Sequence, residues 1–232
     1  MDADLFISLF IAHIIGDFYL QTDHFCRQKA ALKLKCRFLY LHSLTVGLLS
    51  WLLIPTSSFW LCFLIITVSH LTIDIIKVHL PHGLGSFCLD QLAHMAVLTA
   101  IATLFHTDIT LPVQWVDVSP TFSAPRLLLA ILICMKPANI FIKLVLEKYQ
   151  VGESETCNDI KNAGALIGDL ERLLTILFVL LRQFDAIGFI VAAKSLLRFK
   201  ETDTAKTEYV LAGTFLSFGI AIACGLLVRG LA

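Results

Sequence analysis

Long apolar runs, broken at helical spacing by histidine and aspartate, set the pattern of this chain. A helix needs roughly 20 mainly apolar residues to cross a bilayer. Eight stretches meet or approach that length: 5–21, 38–54, 59–78, 87–105, 126–148, 166–183, 186–199 and 209–228. They predict an all-α protein, a polytopic helical membrane bundle of about eight transmembrane helices. The seventh stretch is short and follows a tight turn at Gln183-Phe184-Asp185, so a re-entrant or tilted hairpin is the alternative there. The expected organisation is a single membrane domain with a first half at 1–106, an external loop at 107–125 that contains Trp115 and forms an interfacial cover, and a second half at 126–232.

The polar interruptions recur. His13 and Asp17 lie four residues apart, His70 and Asp74 repeat that spacing, Asp90 and His94 reverse it, and His42 stands alone in its run. Residues at i and i+4 share one helix face, so each pair projects together. The short segments around His13 and His70 match weakly at an offset of 57 positions, and His42 and His94 are 52 apart in the helices that follow. Two tandem helical hairpins would make a pseudo-symmetric site.

Composition and charge then fix the setting. Of 232 residues 57% are hydrophobic and 16% charged, against about 25% charged in ordinary soluble domains, and mean hydropathy is +0.81. Formal net charge is zero, and no basic tract is interleaved with aromatics, so nothing points to nucleic acid. The acidic start, Met1-Asp2-Ala3-Asp4, is unlike a secretory signal, and the first span is expected to be retained. The seven cysteines form no CxxC pair and read as free thiols packed as small hydrophobes. Lysine and arginine collect in alternate connections, above all in the basic loop 27–37, which is expected to be cytoplasmic. With eight spans, both termini would lie outside a bacterial inner membrane. This topology brings His13, Asp17, His42, His70, Asp74, Asp90 and His94 into one layer of the inner half.

Ionisable residues within spans cost roughly 2.5–3.5 kcal/mol each on insertion scales and mark function by default. Imidazole with carboxylate suits zinc, manganese or iron. Seven such ligands exceed the needs of one tetrahedral ion and fit two divalent ions about 3.5–4 Å apart, the arrangement that activates water against a phosphoester. Gln21, Asp23 and Gln91 are candidates to orient the ligands. The alternative is that the His–Asp pairs merely hold helices together. His24, His79, His82 and His106, at span ends, are expected to be solvated or interfacial.

The second half carries a cationic set. Lys136, Asn139 and Lys143 share one helical stripe, with Pro137 expected to bend it. Asp169, Glu171 and Arg172 open the sixth stretch after Gly164 and Gly168, a small-xxx-small arrangement. Arg172 is the candidate phosphate holder among the catalytic set, with Lys143, Lys194 and Arg198 as further substrate-binding candidates. Equally, these cations can snorkel to the interface and pair with nearby carboxylates.

The runs AHIIGDFYLQTD, SHLTIDIIK and LDQLAH, with the later GALIGDLERLLTILFVLLRQFDAIGFIVAAKSLLRFKE and EYVLAGTFLS, resemble a family of bacterial membrane proteins of unknown function. The HxxxD helices are more distantly similar to small membrane-bound metal-dependent hydrolases, which implies His13, Asp17, His70 and Asp74 as metal ligands. The expectation is a metal-dependent hydrolase of a lipid or lipid-linked phosphoester at the cytoplasmic leaflet, with Asp17, Asp74 or Asp90 as base. A divalent-ion or proton carrier using the same layer is the alternative, and a non-enzymatic membrane partner protein is a third.

Overall fold

The computed structural model describes residues 2–54, 59–105, 123–149, 163–198 and 204–230. The expected loop at 107–125 lies outside them as far as residue 122, as do the polar connection at 151–160, His106, Trp115, Cys157 and the side chain of Arg198. The described residues are helical, with no strand among them. They form two compact units, Met1–Val116 and Asp117–Ala232.

The first unit is a four-helix bundle with one extra helix. Helix α1 (Ala3–Ile14) is capped by the Asp2 carboxylate, which accepts from the amides of Asp4 and Leu5. It continues into a π-helical turn, Ile15–Leu20. After α2 (Asp23–Leu32) and a 3-10 turn at Lys33–Lys35 come α3 (Arg37–Leu53), α4 (Trp60–Lys77) and α5 (Leu84–Leu104). Helix α1 packs on α3 and α5, and α4 packs on the same two, closing a ring of four.

Each helix of that ring has one inward stripe with two chemical ends. On α4 the buried residues are Cys62, Ile66, His70 and Asp74, a strict four-residue ladder. On α5 they run Asp90, His94, Leu98, Ile101 and Ala102, and on α1 Leu5 and Leu9 precede His13. Residues three and four apart share a face, so one end of the bundle closes as an apolar core of Leu5, Leu9, Val46, Cys62, Ile66, Leu98 and Ile101. The other end holds the histidines and aspartates. Thus close side-chain packing at one end, the main attraction between helices in lipid, holds a polar layer together at the other.

The second unit comprises α6 (Ala124–Cys134), α7 (Lys136–Lys148), α8 (Ala163–Leu180), α9 (Phe184–Arg198) and α10 (Thr204–Arg229). Its core joins Ala130 and Cys134 of α6, Ile176 and Val179 of α8, Ile187 of α9 and Phe218, Ala221 and Cys224 of α10. The bend expected at Pro137 is a break: α6 ends at Cys134 and α7 starts at Lys136 with proline in its first turn. Proline lacks an amide donor and clashes with the carbonyl four residues back.

Among the described residues five helical segments are long and apolar enough to cross a membrane, or six if the pair Asp23–Lys35 and Arg37–Leu53, bent by 110°, counts as one. The other stretches of the eight fall short for identifiable reasons. Helix α3 alone has 17 residues, α9 has 15, and α8 carries Asp169, Glu171 and Arg172 within its 18 residues. The basic loop expected at 27–37 is instead α2, the 3-10 turn and the start of α3.

Helices α3 and α4 approach most closely at Gly47, where an added Cβ would overlap the Thr67 hydroxyl and lie 3.1 Å from the Phe63 ring. Small residues permit such approach. Gly47→Leu is therefore expected to destabilise the protein by about 1–3 kcal/mol through overpacking. Gly219→Ala, in mid-helix with open space around it, should be neutral or stabilising by up to about 1 kcal/mol. Thermal unfolding of the two variants in the same detergent checks the pair.

Candidate metal centre

The π-helical turn positions the first ligand group. Such turns are rare, and they frequently occur at functional sites; here the wider turn carries Asp17, and Gly16 lets it close on α3, where a Cβ would sit 2.6 Å from Val46. Asp17 Oδ1 lies 3.2 Å from His42 Nε2 and 3.2 Å from His70 Nε2. The two imidazole nitrogens are themselves 3.2 Å apart. A tetrahedral ion with ligands at about 2.0–2.1 Å separates its ligand atoms by about 3.3 Å. The triangle of Asp17, His42 and His70 therefore has the edge length of a coordination shell.

Hydrogen bonding alone satisfies this triangle poorly. If both nitrogens carry protons, each donates to Asp17 but the two N–H groups face one another; if one does not, only one imidazole serves the carboxylate. A cation at the centre satisfies three lone pairs at once.

A second group adjoins the first. His13, His70 and His94 bring ring nitrogens within 4.8 Å of one another, and carboxylate oxygens of Asp17 and Asp90 come equally close to each other and to a ring nitrogen of His94. The rings of His13 and His94 are 4.7 Å apart and those of His70 and His94 4.2 Å. Asp90 Oδ1 and His94 Nε2, 3.6 Å apart, are both buried without a hydrogen-bond partner. An orphaned buried donor or acceptor costs roughly 1–3 kcal/mol, which makes these two atoms candidates to bind a ligand. A small cavity of about 10 Å³, lined in part by His13, Ser69, His70 and His94 but by none of the three aspartates, adjoins the histidines on the side of the apolar core. That is about the space one water-sized sphere occupies.

Two further aspartate atoms are already engaged. Asp74 Oδ2 accepts from Lys29 Nζ at 2.6 Å, and Lys29 also reaches Gln21 Oε1 at 3.3 Å. Asp90 Oδ2 accepts from Lys77 Nζ at 2.5 Å and from the Gln91 amide at 3.0 Å. The amide that donates to Asp90 turns its oxygen, 3.3 Å away, toward His13 Nε2, so His13 serves as donor there and binds an ion through Nε2 only after releasing Gln91.

Of the seven expected ligands, His13, Asp17, His42, His70, Asp90 and His94 fall in these groups, and Asp74 falls outside them. The expected His70–Asp74 pairing is replaced: His70 turns to Asp17 and His42, while Asp74 takes Lys29 and stays 3.9 Å from His42. Of the expected orienting residues, Gln21 and Gln91 touch the layer, whereas Asp23 is exposed. His24, His79 and His82 are exposed, and the described cysteines are free.

Lys29 and Lys77 were missed by sequence reading. Lys29 is the one buried residue of α2, and its signal is indirect: three carboxylates in one apolar layer demand cations, and Lys29 and Lys77 flank that layer in sequence.

In the second unit Arg172 is saturated. Its guanidinium donates to the Cys134 carbonyl freed at the α6–α7 break, to Ser217 Oγ at 2.9 Å, and to Asn139 Oδ1 and Asp169 Oδ1 at 2.6 Å each. Asn139 closes the set by donating to Asp169 at 2.9 Å. Lys194 pairs with Glu171 at 2.6 Å, and Lys143 is exposed beside Glu147 at 3.7 Å. Arg172 clamps three helices, and none of its nitrogens is left to face a phosphate.

The first unit is thus defined as a helical bundle with a buried His/Asp centre. The chain belongs to the DUF3307 family, described as proteins of unknown function, whose model matches residues 5–122. Every residue of the His/Asp layer lies in that span, and the later stretches GALIGDLERLL and EYVLAGTFLS lie beyond it. Neither a curated protein nor a solved structure is matched by the chain, so these comparisons do not support the expected likeness to membrane-bound hydrolases.

Removing one member of a buried ion pair leaves the other charge uncompensated and costs about 3–5 kcal/mol. Lys29→Met and Asp74→Asn are each expected to destabilise by that order, and the double variant to recover most of the loss. Denaturant unfolding of the three proteins measures the coupling; additive losses would contradict the pairing.

Proposed function

We propose that this chain is a membrane-embedded metal-dependent hydrolase whose amino-terminal unit holds divalent metal at Asp17, His42 and His70, with His13, Asp90 and His94 available for a second ion. The observation that carries the reading is the 3.2 Å triangle of one carboxylate oxygen and two imidazole nitrogens beside two orphaned ligand atoms. Zinc, manganese or iron suits that donor set. Five or six helices of spanning length and apolarity support a place in the bacterial inner membrane. The basic elbow from Arg27 to Arg37 supports a cytoplasmic position for the layer, with both termini on the opposite side if all eight stretches span.

Bound metal would supply an activated water and charge stabilisation for attack on a phosphoester. The chain's own residues do the rest. Asp90 Oδ1, without a donor, is placed to take a proton. Lys29 and Lys77 pair with Asp74 and Asp90, and Gln91 orients the His13 ring until an ion takes its Nε2. The substrate class is a lipid or lipid-linked phosphoester, presented from the adjacent leaflet.

The size of the cavity favours one second reading. About 10 Å³ admits an ion and no phosphoester, which is the expectation for a divalent-ion carrier using the same layer. The two readings separate in one preparation. Purified protein in lipid nanodiscs is expected to release phosphate from phosphatidate or a polyprenyl diphosphate, and His70→Ala to reduce that release at least 100-fold. Hydrolysis unchanged in a His70→Ala protein that has lost its metal would contradict the hydrolase. Zinc or manganese flux into proteoliposomes, abolished by Asp17→Asn and unaccompanied by hydrolysis, would establish the carrier instead.

A further inference from the structure

The bend between α2 and α3 opens a depression of about 680 Å³, within the size range of ligand pockets, lined by Gln28, Leu32, Lys35, Arg37, Phe38 and Leu41. Lys35 and Arg37 are exposed at its rim. The buried or half-buried cations Lys29, Lys77, Arg172 and Lys194 each hold a carboxylate, but these two hold none among the described residues. Two unpaired cations on a concave surface are a receptor for a phosphate.

The floor of the depression continues into an apolar stripe. Leu41, Leu44, Leu48 and Leu52 of α3, at i, i+3, i+7 and i+11, are 58%, 41%, 49% and 72% exposed. Eleven residues of helix rise about 16 Å, close to the roughly 15 Å depth of hydrocarbon in one leaflet. A basic rim above a leucine track of one-leaflet length matches a single anionic phospholipid, head to Lys35 and Arg37 and one acyl chain along the leucines.

The pocket also borders the centre. Phe38, in its wall, stacks on Phe25 at 3.8 Å and 7°, and its ring centroid also lies 6.0 Å from that of His42.

We propose that this elbow is a binding site for an anionic phospholipid, specified by Lys35 and Arg37. The inference rests on the membrane placement in the proposed function and is independent of the metal. Full-length protein, delipidated in detergent, is titrated with dioleoylphosphatidylglycerol and separately with dioleoylphosphatidylcholine, and bound lipid is counted by native mass spectrometry. One phosphatidylglycerol per chain is expected to bind at least tenfold more tightly than phosphatidylcholine. Lys35→Ala/Arg37→Ala should remove that preference, Arg37→Lys should largely keep it, and Arg27→Ala/Lys33→Ala, outside the pocket, should leave it within twofold. Equal affinity for the two lipids, or equal loss in both double variants, would overturn the site in favour of diffuse attraction to a basic surface. Metal content is read on the same samples. Metal-free wild-type protein that still prefers phosphatidylglycerol would sink the metal reading and leave this one standing.

Discussion

Three carboxylates buried in one layer of the four-helix bundle impose the constraint that the rest of the amino-terminal unit answers. The side chains of Asp17, Asp74 and Asp90 are 7%, 3% and 1% exposed, and a charge removed from water must be paired or neutralised. Lys29 answers Asp74 and Lys77 answers Asp90. Asp17 has no such partner: its ion-pair partners among the described residues are the imidazoles of His13, His42 and His70. With neutral imidazoles the layer is left one negative charge in excess, located where three ligand atoms converge. A divalent cation at that point would satisfy the three converging lone pairs and turn the excess into one positive charge, which an anionic ligand could balance.

The same constraint accounts for α2. An interfacial helix would ordinarily keep its lysines in water, and Arg27 and Lys33 do so. Lys29 turns inward because Asp74 sits at the open end of the α4 ladder, and the ion pair ties α2 across the mouth of the bundle. The second unit meets the converse problem, a buried cation, with the opposite materials. Arg172 is surrounded by one carboxylate and by neutral oxygens from Asn139, Ser217 and a carbonyl exposed by the proline break. Hence the two units are built around polar centres of different kinds: one closed on itself, the other short of a positive charge.

Much of this was legible because periodicity is a property of sequence. The four-residue spacing of His13 with Asp17, His70 with Asp74 and Asp90 with His94 marked the layer, and the ladders of α1, α4 and α5 carry it. Spacing alone does not say which partner a side chain chooses. Asp74 follows His70 by one turn, yet it binds a lysine from a segment expected to be a loop, because an ammonium offers it a full opposite charge at 2.6 Å. The π-helical turn was also hidden, since it depends on Gly16 meeting Val46 on another helix. Nor did charge type distinguish a structural arginine from a phosphate ligand: the role of Arg172 follows from the broken helix beside it.

The central claim is that Asp17, His42 and His70 hold a divalent ion. The most direct test is metal content by inductively coupled plasma mass spectrometry on chelator-free protein in detergent, beside a folded His42→Ala/His70→Ala variant. The account predicts at least one zinc, manganese or iron ion per chain in the native protein and background levels in the variant. Folded native protein that remains metal-free after reconstitution with each ion, or a variant that retains full metal, would contradict it.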